Sequence, residues 1–211
     1  MQIAKTNSSA CWCRYCAAAV GPDFHLGQVS GFKYSDGRVI CKTCHDSAIK
    51  TAESFEAVQQ HIAQKMQAYG LTLDWSSVVL RLDHQPHFGA EGVLGLAKLT
   101  TTQLFFKSSR KSEIVILYGM PKILALETLA HEASHVFCHQ HKIRFKQPQT
   151  EEGFCNLVAF KVMQDLNQIA AMEKLMRNPC PIYGGLFRGE LACMQTLGWD
   201  NYLLAIRNNQ R

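Results

Sequence analysis

Two Cys-x-x-Cys pairs, Cys13 with Cys16 and Cys41 with Cys44, stand twenty-four residues apart near the front of a 211-residue chain. No other feature limits so tightly what that region can fold into. Each pair can present two sulfurs from one tight turn, so together they predict a single tetrahedral zinc held by four thiolates. Between them, FHLGQVSGFKYSDGRVICKTC reads as two short strands joined at Ser35, Asp36 and Gly37, a hairpin signal. A module of about forty residues buries too little surface to fold on apolar contacts alone, so the metal is expected to supply much of its stability. Cys11, His25 and His45 are spare donors nearby, and any could replace one of the four, but the paired spacing favours Cys13, Cys16, Cys41 and Cys44. A closed four-thiolate site predicts a structural or recognition role rather than catalysis.

The module looks like one zinc-binding half of a LIM domain with a long intervening segment. Nine cysteines, an odd number, with no apolar leader in MQIAKTNSSACWC, predict reduced thiols and metal binding in the cytoplasm rather than a disulfide framework. No run of about eighteen apolar residues is present, so no membrane partner is expected. The charge of +5 is mild and dispersed, which argues against a nucleic-acid stripe. Hydrophobic residues at 47% are enough for a globular core.

Past Asp46, apolar residues at Ile49, Ala52, Phe55, Val58, Ile62 and Met66 recur at helical spacing and stop at Gly70. They predict an amphipathic helix whose apolar face packs on a core and which links the cysteine module to the rest of the chain. SSVVLRLDH, LGLAKLTT and EIVILYG read as strands. The β-branched run Ile114 to Leu117 predicts a strand covered on both faces. His84 and His87 in DHQPHF read as loop residues, because Pro86 interrupts any element that would aim both rings.

Pro121 is then placed to open a helix in which Ile123, Leu126, Leu129, Ala130, Ala133, Val136 and Phe137 form the buried face. His131 and His135, four apart, project from one side as two ligands of one zinc. Glu132 lies beside the metal, as general base toward zinc-bound water, which completes an HExxH pattern written here HEASH. The third ligand has two sources. His141 stands where metzincins carry their third histidine, but Cys138 occupies the turning position that those enzymes give to glycine. The alternative lies in QPQTEEGFCNLVAF, where Thr150 is expected to cap a second helix and to place Glu151 and Glu152 in its first turn. Glu152 is favoured, since it precedes Gly153 and Phe154 as the ligand glutamate precedes Gly-Phe in many aminopeptidases. Asn156 would then hydrogen-bond a ligand histidine, and Glu151 is a solvent-facing acid or a support to the ligands. His139 and His141 become bystanders, and Cys138 and Cys155 pack as small apolar groups.

LYGMPKILALETLAHEASH, EEGFCNLVAF, PIYGGLFRGELACMQTLGWDNYLLAI and LGLAKLTTTQ together resemble the DA-one family of LIM-linked, ubiquitin-activated plant metallopeptidases and their bacterial relatives. The likeness covers roughly residues 70 to 211, and the cysteine module stands where that family has its LIM region. A minimal, bacterial-type member fits best. The resemblance implies an α+β protein in three parts. These are a LIM-like zinc-ribbon module over 1–48, a linking helix over 49–69, and a gluzincin-like, thermolysin-like metallopeptidase domain over 70–211. That last domain would carry a mixed sheet and the HExxH helix. It implies His131, His135 and Glu152 as ligands and Glu132 as base, hence two Zn2+ per chain. With one LIM-like site and no acidic amphipathic helices of the ubiquitin-interacting kind, ubiquitin activation is not carried over.

The expected reaction is hydrolysis of a peptide bond in a protein or peptide substrate, with a protein partner at the LIM-like module and no nucleic acid. The oxyanion needs a donor beyond the metal, and Tyr183 is the first candidate, Arg188 the second. The strand Ile114 to Tyr118 could pair with an extended substrate if it lies at the sheet edge. The rival reading is a catalytically idle, zinc-dependent interaction module, against which the intact Glu132 argues.

Overall fold

The computed structural model describes residues 11–20, 31–84, 93–104 and 107–208. His25, Pro86 and His87 lie outside them.

The front builds two small ladders. β1 (Cys11–Trp12) pairs antiparallel with β2 (Ala19–Val20), and β3 (Gly31–Lys33) with β4 (Val39–Cys41). The turn between β3 and β4 closes through Tyr34 N–H to Arg38 C=O at 2.9 Å. Gly37 sits there at φ 87°, a left-handed conformation that a side chain would strain. A short helix, α1 (Lys42–Asp46), comes directly after β4, so Cys41 and Cys44 lie on one turn of chain. The local core is small, made by Cys13, Val20, Ile40 and Cys41. So thin a core cannot hold these strands by area alone.

α2 (Ala52–Ala68) begins with a reciprocal cap between Thr51 and Ser54 and ends where Gly70 takes φ 77°. Phe55, Val58, Ile62 and Met66 face inward and join one core with Ile114, Leu129, Ala133, Val136 and Leu203. The linking helix thus packs its apolar face on the core, as its spacing predicts, and forms a wall of the main body. Backbone bonds knit the chain on both sides of residue 48 to the entry of the next long helix: Ile49 N–H to Met120 C=O, Gly119 N–H to Ile49 C=O, and Lys122 N–H to Ser47 C=O, each 2.9 Å.

Among the described residues the sheet has three strands, β5 (Val78–Asp83), β6 (Gly95–Leu104) and β7 (Lys107–Leu117), in the order β5-β7-β6. β5 runs parallel to β7 and β6 antiparallel to it, which makes the sheet mixed. Ile114, Val115, Ile116 and Leu117 are buried, so the run read as covered on both faces is so. The expectation that this strand could lie at the edge fails. β7 is central, its backbone groups already paired on both sides, and among the described residues β6 is the edge strand beside the histidine helix.

That helix, α3 (Lys122–Gln140), packs on α4 (Thr150–Asp165). Pro121 stands one residue before α3 rather than inside it. Thr150 is not the cap of α4 but its first residue. The turn before it supplies carbonyls at i−3 spacing, Gln147 to Thr150 N–H, Pro148 to Glu151 N–H and Gln149 to Glu152 N–H, leaving no orphan donor for a hydroxyl. α5 (Ile169–Met176), a π-type turn (Pro181–Gly185), α6 (Leu186–Leu197) and α7 (Trp199–Arg207) complete the chain.

Arg38 joins the front to the sheet. Its Nε donates to Asp36 Oδ2 at 2.7 Å, one Nη to Tyr118 C=O at 2.8 Å, and the other to the Tyr15 hydroxyl. The side chain is 11% exposed, so the guanidinium is nearly sealed within its partners.

Candidate metal centres

α3 is largely apolar and packs against the sheet, α2 and α4, with His131 and His135 on a strip that opens on a cleft; Ile123, expected on the buried face, is exposed near the start of the helix. Their separation of four residues brings the two Nε2 atoms to 3.3 Å. Glu152, in the first turn of α4, places Oε2 at 3.3 Å from His131 Nε2 and Oε1 at 3.5 Å from His135 Nε2. Ligands about 2.0–2.1 Å from a tetrahedral zinc are separated from one another by about 3.3 Å. The three side chains therefore have the spacing of a shared first-row cation. The outer nitrogens are held too. His131 Nδ1–H points to Asn156 Oδ1 at 3.0 Å, and His135 Nδ1–H to Glu151 Oε1 at 2.8 Å. Asn156 is itself fixed, its amide donating to Tyr183 C=O at 3.1 Å. Both rings are thereby turned so that Nε2 faces inward.

Glu132 lies beside this group, 8% exposed, and its Oε2 accepts the Ala97 N–H of β6 at 2.8 Å. Gly95 lets the strand come so close: a Cβ there would stand 2.5 Å from Thr128 and 3.1 Å from Glu132 Cγ. Burial raises the Glu132 pKa, against the pull of the two imidazoles. Burial disfavours the His135 imidazolium, but the Glu151 bond and the surrounding carboxylates outweigh it and raise its pKa. Burial would raise Glu152 as well, yet the bond to His131 and the charge of both rings lower it. A half-buried set of two imidazoles and a carboxylate, beside the buried carboxylate of Glu132, suits a divalent cation.

The cleft, about 770 Å³, is bounded by Leu96, Ala97, Leu99, Thr128, Asn178 and Tyr183 around the site. Tyr183 stands on the π-type turn, half exposed, and the charge of Glu152 raises its phenol pKa. Arg188 is elsewhere. One of its nitrogens donates to the carbonyls of Met176 and Asn178, at 3.1 and 2.9 Å, so it clamps a turn and is not among the residues bounding the cleft. His139 bonds Thr101 Oγ1 at 2.9 Å, and His141, past the last turn of α3, bonds Thr72 C=O at 2.8 Å with its ring on Phe137. Neither joins the cluster. Cys138 and Cys155 are buried, and burial raises both thiols; Cys155 also lies within reach of His135 and Glu151, which the sequence did not suggest. His84 is stacked on Tyr118 at 3.8 Å.

At the front, Cys13, Cys16, Cys41 and Cys44 bring their sulfurs within 4.8 Å of one another, with Cys16 and Cys41 at 3.6 Å. Tetrahedral thiolates about 2.3 Å from zinc stand about 3.8 Å apart. Burial opposes ionisation of Cys13, yet the backbone N–H groups of Cys41, Cys16 and Tyr15 bring it down to about 6. Cys44 moves the other way, through burial and the neighbouring thiols. Four thiolates at this spacing would repel one another, and a shared cation would neutralise them. His45 is spent elsewhere, stacked on Phe32 at 3.6 Å and bonded to Tyr34 Oη at 3.1 Å, and Cys11 lies outside the group of four.

A family model described as DA1-like, Protein DA1, matches residues 41–179. Among curated proteins, Protein DA1-related 2 of Arabidopsis thaliana is 30% identical over 91 residues, 43% of this chain and 17% of its own length. Protein DA1-related 1 of the same plant is 24% identical over 160 residues, covering 59% and 29% of the two chains. LIM domain-containing protein HDR3 of Oryza sativa subsp. japonica is 22% identical over 161 residues, covering 59% and 32%. The matched part therefore spans less than a third of the length of each of these relatives. No solved structure matches the chain.

Proposed function

The chain belongs to the DA1-like family, and from that premise we propose that it is a zinc-dependent peptidase of gluzincin type, hydrolysing peptide bonds in a protein or peptide. The observation that carries the reading is one of spacing. Two histidines and a carboxylate from facing helices stand at 3.3–3.5 Å, with the buried Glu132 beside them on the cleft wall. His131, His135 and Glu152 would hold one zinc, and Cys13, Cys16, Cys41 and Cys44 a second. Zinc at the histidine site supplies a Lewis acid that polarises the scissile carbonyl and acidifies water.

The chain's own groups do the rest. Glu132 is the base: its carboxylate takes a proton from the attacking water and returns it to the leaving amine. Ala97 N–H fixes that carboxylate on one oxygen and leaves the other for the proton. Burial favours the protonated form, which strengthens the carboxylate as acceptor of the water proton. Glu151 and Asn156 keep both imidazoles aimed. The Tyr183 hydroxyl is the donor for the developing oxyanion. The outer edge of β6, not β7, is the strand an extended substrate would join.

A second reading, a zinc-dependent protein-interaction module with an idle cleft, draws on the likeness to the LIM domain-containing rice protein. Glu132→Gln separates the two. The amide keeps shape and zinc but cannot accept the proton, so cleavage of a broad peptide library should fall at least about a hundredfold. Cleavage at native rates would remove Glu132 from the mechanism. No cleavage by the zinc-loaded native protein would favour the idle module.

A further inference from the structure

The cleft does not end at the histidine site. Val93 and Leu94, just before β6, line both the cleft and a second cavity of about 470 Å³. The far wall of that cavity belongs to the cysteine module: Trp12, Arg14, Tyr15 and Arg38. Val93 and Leu94 thus stand between the proposed active-site cleft and a cavity that the front helps to bound. Arg38 holds the front in register, since the same guanidinium binds Asp36 within the module and Tyr118 C=O at the end of β7.

We propose that this second cavity is a specificity subsite of the peptidase, binding an acidic side chain of the extended substrate. The inference rests on the peptidase reading. The backbone supports it first. Ala97 N–H points away from β7, toward Glu132, whereas Leu94 C=O accepts from Leu117 N–H. Alternation along an antiparallel strand then turns Gly95, Ala97 and Leu99 toward the outer edge, where a substrate strand would run. Leu94 is three residues from Ala97, roughly 10 Å along an extended chain. A substrate strand on this edge therefore brings a residue about three positions from the one opposite Ala97 to the mouth of the cavity.

Charge supplies the preference. The cavity is bounded by two cations and one anion, Arg14, Arg38 and Asp36. Arg38 and Asp36 neutralise each other at 2.7 Å. Arg14 is exposed, its charge acts on the Tyr15 hydroxyl, and among the described residues no carboxylate pairs with it. Trp12, 62% exposed, offers an apolar wall for the methylene stem of a glutamate or aspartate.

The test uses the zinc-loaded Glu132→Gln variant of this 211-residue chain, which binds without cutting, to capture members of a random nonapeptide library that are then sequenced. Asp and Glu should be enriched about two- to fivefold at one position, the range of a solvent-accessible ion pair. Arg14→Lys should keep the enrichment, and Arg14→Glu should replace it with Lys and Arg at the same position. Zinc content confirms that each variant keeps its metal. An unchanged pattern in Arg14→Glu, or no enriched acidic position at all, overturns the subsite. If the acidic preference follows Arg14 while native protein cuts none of these peptides, the cavity is an acidic-peptide site and both the peptidase reading and its role as a peptidase subsite fall.

Discussion

Glu151 carries the prediction that the geometry changes most. By its place in the chain it could have been a solvent-facing acid whose loss is mild. Its carboxylate instead accepts the Nδ1–H of His135 at 2.8 Å, and the imidazole is only 16% exposed. A partner of this kind fixes the tautomer and raises the basicity of the nitrogen that would face the metal. Loss of such partners costs about 10–100-fold in metal affinity, about 1.4–2.7 kcal/mol. The upper half of that range is expected for Glu151→Ala, because the bond is charge-assisted. Asn156→Ala, which removes a neutral partner from His131, belongs in the lower half. Glu152→Ala should exceed both, since it removes a ligand. Competition between the protein and a chelator, with cobalt(II) absorption distinguishing the thiolate site from the histidine site, reads all three. An affinity within twofold of native in Glu151→Ala would refute the supporting role. A loss as complete as that of Glu152→Ala would make Glu151 the ligand instead.

Ile62→Ala tests whether α2 is a wall of the core or a tether. The side chain is fully buried, so removal should cost about 2–5 kcal/mol and lower Tm by roughly 4–20 °C, whereas a tether would lose almost nothing. Acid should uncover the contact between α2 and α4. Burial would raise Asp165, but the Tyr69 hydroxyl at 2.6 Å and Lys65 at 3.0 Å hold it below its ordinary value. Its contribution is thus present above the unfolded value near pH 4 and is lost as pH falls through the folded one. The urea midpoint of native protein should exceed that of Tyr69→Phe at neutral pH and approach it in acid; a constant gap would contradict the linkage.

Local pattern made much of this legible. The spacing of His131 and His135 within an apolar run, the Asp36-Gly37 turn and the Ile114 to Leu117 run each depend on neighbours in sequence, and each is found where its period puts it. What failed depends on distant parts of the chain. Whether β7 is central or at the edge is decided by which strands pair with it, and both flanks of its own pattern read alike. Thr150 lost its capping role to carbonyls of a turn that composition alone does not specify. Arg188 looks free in the sequence and is taken up by Met176 and Asn178. Ala97 carried no signal at all, because its contribution to Glu132 is a backbone N–H. The apolar face of α2 was readable, but not that the same core would also receive α3, α4 and α7.

One zinc between α3 and α4, held by His131, His135 and Glu152, and a second among the four cysteines underlie every functional step proposed for this chain. Zinc content and zinc X-ray absorption of native protein and of Glu152→Ala probe both sites at once. Native protein should hold two equivalents, in a mixed sulfur and nitrogen/oxygen environment. Glu152→Ala, after gentle dialysis against a weak chelator, should keep one equivalent with sulfur neighbours only. Retention of both metals in Glu152→Ala, or a single remaining zinc with nitrogen and oxygen neighbours, would rule out this pair of sites.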